Sequence, residues 1–253
     1  MKSFLIKSYS TIVLHWKKIF FSVLIFCFIS GSNLKVTHHY NISVWDFTLL
    51  SITDQYYLMF CALPVLIWFI FASFPQHSYL EITRHKYFYS YFFKEFLQIA
   101  IFNLVPVLCS IIIGMISKLP ITSSFSKEFM KNSTSGSILQ VLNEHFHSSV
   151  IVIVCTTVYS VIGFVFLSVI LQYVLYLFSR KTSLLLTIAG YMVAVFAVQK
   201  NVDESFPYVF INNYLIITQI LSKGSVWICL LIILAVLVII TFCLQKRLGC
   251  KNI

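Results

Sequence analysis

Charge is scarce in this 253-residue chain: 10% of the residues are charged, and only eight are acidic. A globular domain carries about 25% charged residues, so disorder, a secreted disulfide scaffold and an ordinary cytosolic enzyme are excluded. The seven glycines never form the G-x-x-x-x-G-K-[ST] loop, so ATP binding by that motif is excluded too. There is no C-x-x-C pair, no His-Glu-x-x-His and no G-x-S-x-G elbow. The seven cysteines therefore read as small buried hydrophobes rather than a zinc site or a disulfide framework, and a membrane protease is disfavoured. The long apolar runs hold no acid, which argues against a proton-coupled carrier, because such a carrier keeps ionisable groups in its relay.

What fills the chain is apolar and aromatic. Apolar residues make up 59%, with 25 Phe and 14 Tyr, and the mean hydropathy is +0.91. A transmembrane barrel reads as short alternating segments; here the runs are long and unbroken. The expected fold is an all-α polytopic membrane protein. Six transmembrane helices are expected at about 19–34, 56–74, 96–117, 150–178, 183–198 and 226–244. The first and fifth are short, which local bilayer thinning tolerates.

Charge orients these helices. Lys2, Lys7, Lys17, Lys18, Arg84, Lys86, Lys94, Arg180, Lys181, Lys246, Arg247 and Lys251 fall on one side, against Glu81 and Glu95. Six lysines on the other side are balanced by Asp46, Asp54, Glu128, Glu144, Asp203 and Glu204. The net +10 thus lies on one face, and the positive-inside rule makes that face cytoplasmic, with the N- and C-termini both cytoplasmic. Because the bases sit at span ends, they read as orientation signals and not as a nucleic-acid surface. The first apolar run follows an amphipathic stretch and offers no small-residue cleavage site, so no cleavable signal peptide is expected.

The connecting segments carry the remaining information. Residues 1–18 place Phe4, Leu5, Tyr9, Ile12, Val13 and Trp16 on one stripe, with Lys2, Lys7, His15 and Lys18 largely opposite. This reads as an amphipathic N-terminal interfacial helix; the alternative is the start of the first span. The 75–95 connection is cytoplasmic, aromatic and basic. Tyr79, Leu80, Ile82 and Tyr87 lie beside Glu81, Arg84, His85 and Lys86, which reads either as a docking surface or as a plain interfacial turn. Asp54 fits an N-terminal cap for the second span. Within 118–148, Ile138, Leu139, Leu142 and Phe146 point to a short amphipathic helix. Residues 201–225 are too apolar for a solvated loop and read as a partly inserted outer hairpin. His38, His39, Glu144, His145 and His147 are candidate metal or pH-sensing groups, with surface histidines as the favoured reading, and no metal is assigned. Pro64 and Pro106 read as helix kinks or as tolerated breaks.

Six spans, cytoplasmic termini, the interfacial helix, the basic loop after the second span and the apolar hairpin before the sixth together resemble the membrane subunit of a type-2 ATP-binding-cassette exporter. The chain is similar to the roughly 250-residue permeases of bacteriocin and lantibiotic gene clusters in low-GC Gram-positive bacteria. Trp45-Asp46, the run Ser51-Ile-Thr-Asp-Gln-Tyr-Tyr57 into Leu63-Pro64, and Leu80-Glu-Ile-Thr-Arg84 carry the likeness. The resemblance implies a non-enzymatic permease in a bacterial plasma membrane. A cytosolic ATP-binding-cassette ATPase subunit would bind ATP and Mg. Glu81, Arg84, His85 and Lys86 would form the coupling loop, and a second permease chain, identical or different, would complete the path. The other reading is a stand-alone membrane immunity or binding protein that intercepts a toxic peptide without ATP. Its work would fall to segments 34–53, 118–148 and 201–225.

Overall fold

The computed structural model describes residues 20, 23, 24, 26–28, 30–32, 34, 35, 42–73, 103–122, 124–127, 130, 136–146, 148–199, 202–223 and 225–248. Among them every regular element is helical. The expected interfacial helix 1–18 and the coupling loop 75–95 lie outside the described residues.

The longest element is α6, Ser149–Leu177. Its sequence is apolar on every side, the pattern of a helix surrounded by protein or lipid. Its 29 residues span roughly 43 Å at 1.5 Å per residue, more than the ~30 Å hydrocarbon core. After a turn at Phe178 and Ser179 comes α7, Arg180–Gln199. These two helices are long and apolar enough to cross a membrane. The fifth apolar run was expected to be short, but the helix takes in Arg180 and Lys181 and reaches 20 residues.

Before α6 stand α1 (Val44–Ile52), α2 (Gln55–Tyr57), a π-turn (Leu58–Ala62), α3 (Leu63–Ser73), α4 (Asn103–Ile116) and α5 (Gly136–His145). α1 meets the stretch Gln55–Trp68 at 42°, and the two would make a third span if counted as one bent helix. After α7 come α8 (Val202–Ser205), a 3-10 turn (Ile211–Tyr214), α9 (Ile217–Lys223) and α10 (Val226–Leu248). α4 and the apolar stretch Val226–Ile240 of α10 are shorter.

Val44–Ile52, counted as outer loop by composition, instead forms a largely buried helix. Ser43 caps it, accepting the Asp46 N–H at 3.0 Å, as a serine one residue before a helix does. Val44, Asp46, Phe47, Thr48, Leu49 and Ser51 are all fully buried. α1 lies against α6 and α5, and α5 in turn against α9. Leu139 and Leu142 of α5, with Ile220 of α9, bury completely in one core with Phe47 and Leu49, while Gln140, Asn143 and Glu144 face outward. α4 crosses α1 at Gly114, where an added Cβ would stand 3.2 Å from Val44 Cγ1.

The π-turn has a local cause. In its wider register the Leu63 N–H bonds to the Leu58 carbonyl. The next amide in that register belongs to Pro64, which has no N–H to offer Met59. The Met59 carbonyl is bonded instead by the Tyr191 hydroxyl of α7 at 2.9 Å. Pro64 thus acts through a change of helical register that ties the second apolar run to the fifth.

Candidate functional site

Two ends of the bundle can be distinguished by their bonds. At one, the buried Asp46 carboxylate accepts the Ser126 N–H at 3.0 Å and the Ser149 hydroxyl at 3.0 Å. Nearby, the Val44 N–H donates to the Pro120 carbonyl at 2.9 Å. The starts of α1 and α6 and the segment after α4 are therefore held together by one side chain. An uncompensated buried carboxylate would be costly; these donors offset that cost. At the other end, Arg180 donates from a guanidinium nitrogen to the Phe71 carbonyl at 2.9 Å. The basic turn between α6 and α7 is thereby bonded to the last turns of α3.

Between the two ends, irregular backbone enters the core. The segment from Pro207 to Ile216 folds back on itself. Asn213 Nδ2 donates to the Pro207 carbonyl at 2.9 Å, and the Tyr214 hydroxyl to the Tyr208 carbonyl at 2.7 Å. Residues 212–218 are buried. The Tyr159 hydroxyl of α6 donates to the Asn213 carbonyl at 2.9 Å. Gly163 is the closest approach: a Cβ there would collide with the Tyr214 carbonyl and stand 3.0 Å from Leu215 Cδ2. Gly163 lies roughly 21 Å along α6 from Ser149, at 1.5 Å per residue, about halfway down the helix. Non-helical backbone so far along a membrane-length helix has to be satisfied by protein, and these bonds do that.

A narrow cleft opens where this segment meets the break between α1 and α2. Leu215 and Ile216 form one wall; Ile52, Thr53, Tyr57 and Leu58 form another. Asn103, Pro106 and Val107 of α4 and Thr156, Thr157, Ser160 and Phe164 of α6 complete it. Its free volume is about 20 Å³, near what one water-sized guest needs. A larger apolar groove of about 250 Å³ runs between α3, α6 and α7, lined by residues such as Leu63, Leu171, Leu186 and Ala194.

The residues singled out from sequence divide accordingly. Glu81, Arg84, His85 and Lys86 lie outside the described residues, as do His38, His39 and His147. Asp54 does cap α2, accepting from the Tyr56 N–H at 2.8 Å and the Tyr57 N–H at 3.4 Å. Glu144 and His145 are exposed on α5, where His145 Nδ1 lies 2.9 Å from the Val141 carbonyl. Among the described residues no three His, Cys, Asp or Glu side chains are placed to hold a metal, and Cys27, Cys61, Cys109, Cys155, Cys229 and Cys243 are free thiols. Sequence reasoning noted Pro106 but missed Asn103, Thr53, Thr156, Thr157 and Ser160 as lining residues. For Thr156, Thr157 and Ser160 the signal was the hydroxyl pattern T-T-x-x-S inside an otherwise apolar run.

No family model, no curated protein and no solved structure matches this chain.

Proposed function

We propose that this chain is the membrane-spanning permease subunit of an ATP-driven type-2 exporter in a bacterial plasma membrane. It crosses the bilayer six times with cytoplasmic termini and moves a bacteriocin-like peptide or another amphipathic substrate outward. A separate cytosolic ATPase binds ATP and Mg and grips the loop around Glu81, Arg84, His85 and Lys86. A second permease chain completes the path, and the apolar, poorly covered face of α7 is available to it or to lipid.

The observation that carries this reading is the Arg180–Phe71 bond. It puts the exit of α3, which leads directly into 75–95, at the same end as Arg180 and Lys181. The exit of α3 and the basic residues at the start of α7 therefore share one end of the molecule, and a partner gripping the loop that follows α3 would meet both. The opposite end carries the Asp46 latch and the packed short helices.

Two measurements test it. The chain should co-purify with a soluble ATPase in mild detergent. The double variant Arg84→Glu/Lys86→Glu should fold normally while losing most of the substrate-stimulated ATP hydrolysis. Wild-type stimulation in that variant would refute the docking role.

The stand-alone immunity reading also has an observation in its favour. Parts of all three outer segments, around α1, α5 and α9, form a single packed layer, as a preformed peptide-binding surface would. Protection against the peptide that persists after every candidate ATPase gene is deleted would select it over the exporter.

A further inference from the structure

The cleft between the broken α1–α2 segment and the 211–216 turn presents an unusual set of polar groups. Thr53 Oγ1 donates its proton to the Leu49 carbonyl at 2.7 Å. Thr157 Oγ1 donates to the Ile153 carbonyl at 2.7 Å, and Ser160 Oγ to the Thr157 carbonyl at 2.9 Å. Each hydroxyl has one proton to give, and in all three it is turned back into a helix. What these oxygens can offer the cleft is lone pairs. Thr156, only 3% exposed, also lines it, and its Oγ1 makes no hydrogen bond within the chain. A buried hydroxyl without a partner costs about 1–3 kcal/mol, so a guest that satisfies it is favoured.

The surroundings specify the sign of that guest. α1 ends at Thr53, so the negative end of its dipole is at the cleft wall. Several acceptors and a helix C-terminus together call for positive charge. No carboxylate lines the cleft itself, whereas calcium and magnesium sites draw on carboxylates. The free volume of about 20 Å³ excludes an organic cation. Broken helices meeting in a membrane protein core are also the setting in which half-helix C-termini coordinate small cations.

We propose that this cleft binds one small monovalent cation, Na⁺ being the fitting size, held by Thr156 with Thr53, Thr157 and Ser160, and that the ion braces the α1–α2 break against the 211–216 turn. The inference is independent of whether the chain works with an ATPase.

The test uses the full-length protein purified in detergent, with NaCl compared against N-methyl-D-glucamine chloride at equal concentration. Binding to the folded state alone raises stability with the logarithm of ligand concentration. Each tenfold increase in NaCl above the dissociation constant should raise Tm by roughly 3–5 °C for a chain of this size. N-methyl-D-glucamine chloride should leave Tm flat. Thr156→Val, which keeps the shape and removes the oxygen, should abolish the sodium-dependent rise; Thr156→Ser should keep most of it. Equilibrium dialysis of the wild-type protein with ²²Na⁺ should show saturable uptake competed by unlabelled Na⁺, and this readout stands even if Thr156→Val does not fold. Equal Tm in the two salts, a full sodium response in folded Thr156→Val, or no saturable ²²Na⁺ uptake would each overturn the proposal, the last two results being those of a cleft that holds only water.

Discussion

Replacing Gly163 by alanine isolates the contact on which the buried 212–216 segment depends. An alanine in a helix interior is intrinsically better than glycine by about 1 kcal/mol, so a helix with open space around the site should gain stability. At Gly163 the new Cβ meets the Tyr214 carbonyl, a backbone group that cannot rotate away. Overpacking of this kind costs about 1–3 kcal/mol. Moving the segment also puts the Tyr159–Asn213 bond at risk, worth about 0.5–1.5 kcal/mol. The net expectation is a loss of about 1–3 kcal/mol, or roughly 3–10 °C in Tm. Gly190, on α7, is the internal control because a Cβ there meets nothing within 4 Å; Gly190→Ala should be neutral or stabilise by about 0.5–1 kcal/mol. Thermal unfolding in detergent measures both. Cys229, fully buried next to Tyr159, supplies a second readout: in a background with the other six cysteines replaced, its thiol should label faster in Gly163→Ala. Indistinguishable Tm values and labelling rates for the two alanine variants would refute the close approach.

Other perturbations probe the bonds that join distant parts of the chain. Asp46→Asn should cost less than Asp46→Ala. The asparagine oxygen can still accept from Ser126 and its amide can donate to Ser149, whereas the alanine loses both bonds and about 2–4 kcal/mol; denaturation in detergent separates the two, and equal losses would contradict the latch. Tyr191→Phe leaves the Met59 carbonyl without its donor and should lower stability by about 1–3 kcal/mol, with the same replacement at the exposed Tyr56 as a reference. Arg180→Gln should release the end of α3 and increase protease sensitivity just beyond Ser73, with little change in overall Tm; unchanged cleavage would show that the Phe71 bond does not hold that end.

The long apolar helix α6, of membrane-crossing length, was legible because long apolar runs report burial by protein or lipid directly. The expected 150–178 run is the helix Ser149–Leu177, and the spacing of Ile138, Leu139, Leu142 and Phe146 located an amphipathic helix that ends at His145. Asp54 was legible as a cap because capping is local. α1 was not, for a physical reason: the groups that allow Asp46 to be buried lie 80 and 103 positions away in sequence, and no local pattern encodes such partners. Asp46 also shows that a carboxylate counted among outer-loop charges can be a core residue. The π-turn was hidden similarly. Pro64 announced an interruption, but the donor that satisfies the Met59 carbonyl it leaves open is Tyr191, 132 positions beyond Met59. Within the cleft, Thr53, Thr157 and Ser160 looked like helix residues because their protons are spent on backbone carbonyls; only the meeting of three segments shows what their remaining lone pairs face.

Sidedness tests the account most directly. In intact cells, in a cysteine-free background, a membrane-impermeant maleimide should label Glu144→Cys, at the end of the molecule that holds Asp46. It should leave Arg84→Cys unmodified until the membrane is permeabilised. Modification of position 84 in intact cells would place the loop outside, away from any cytosolic motor, and would contradict the exporter reading.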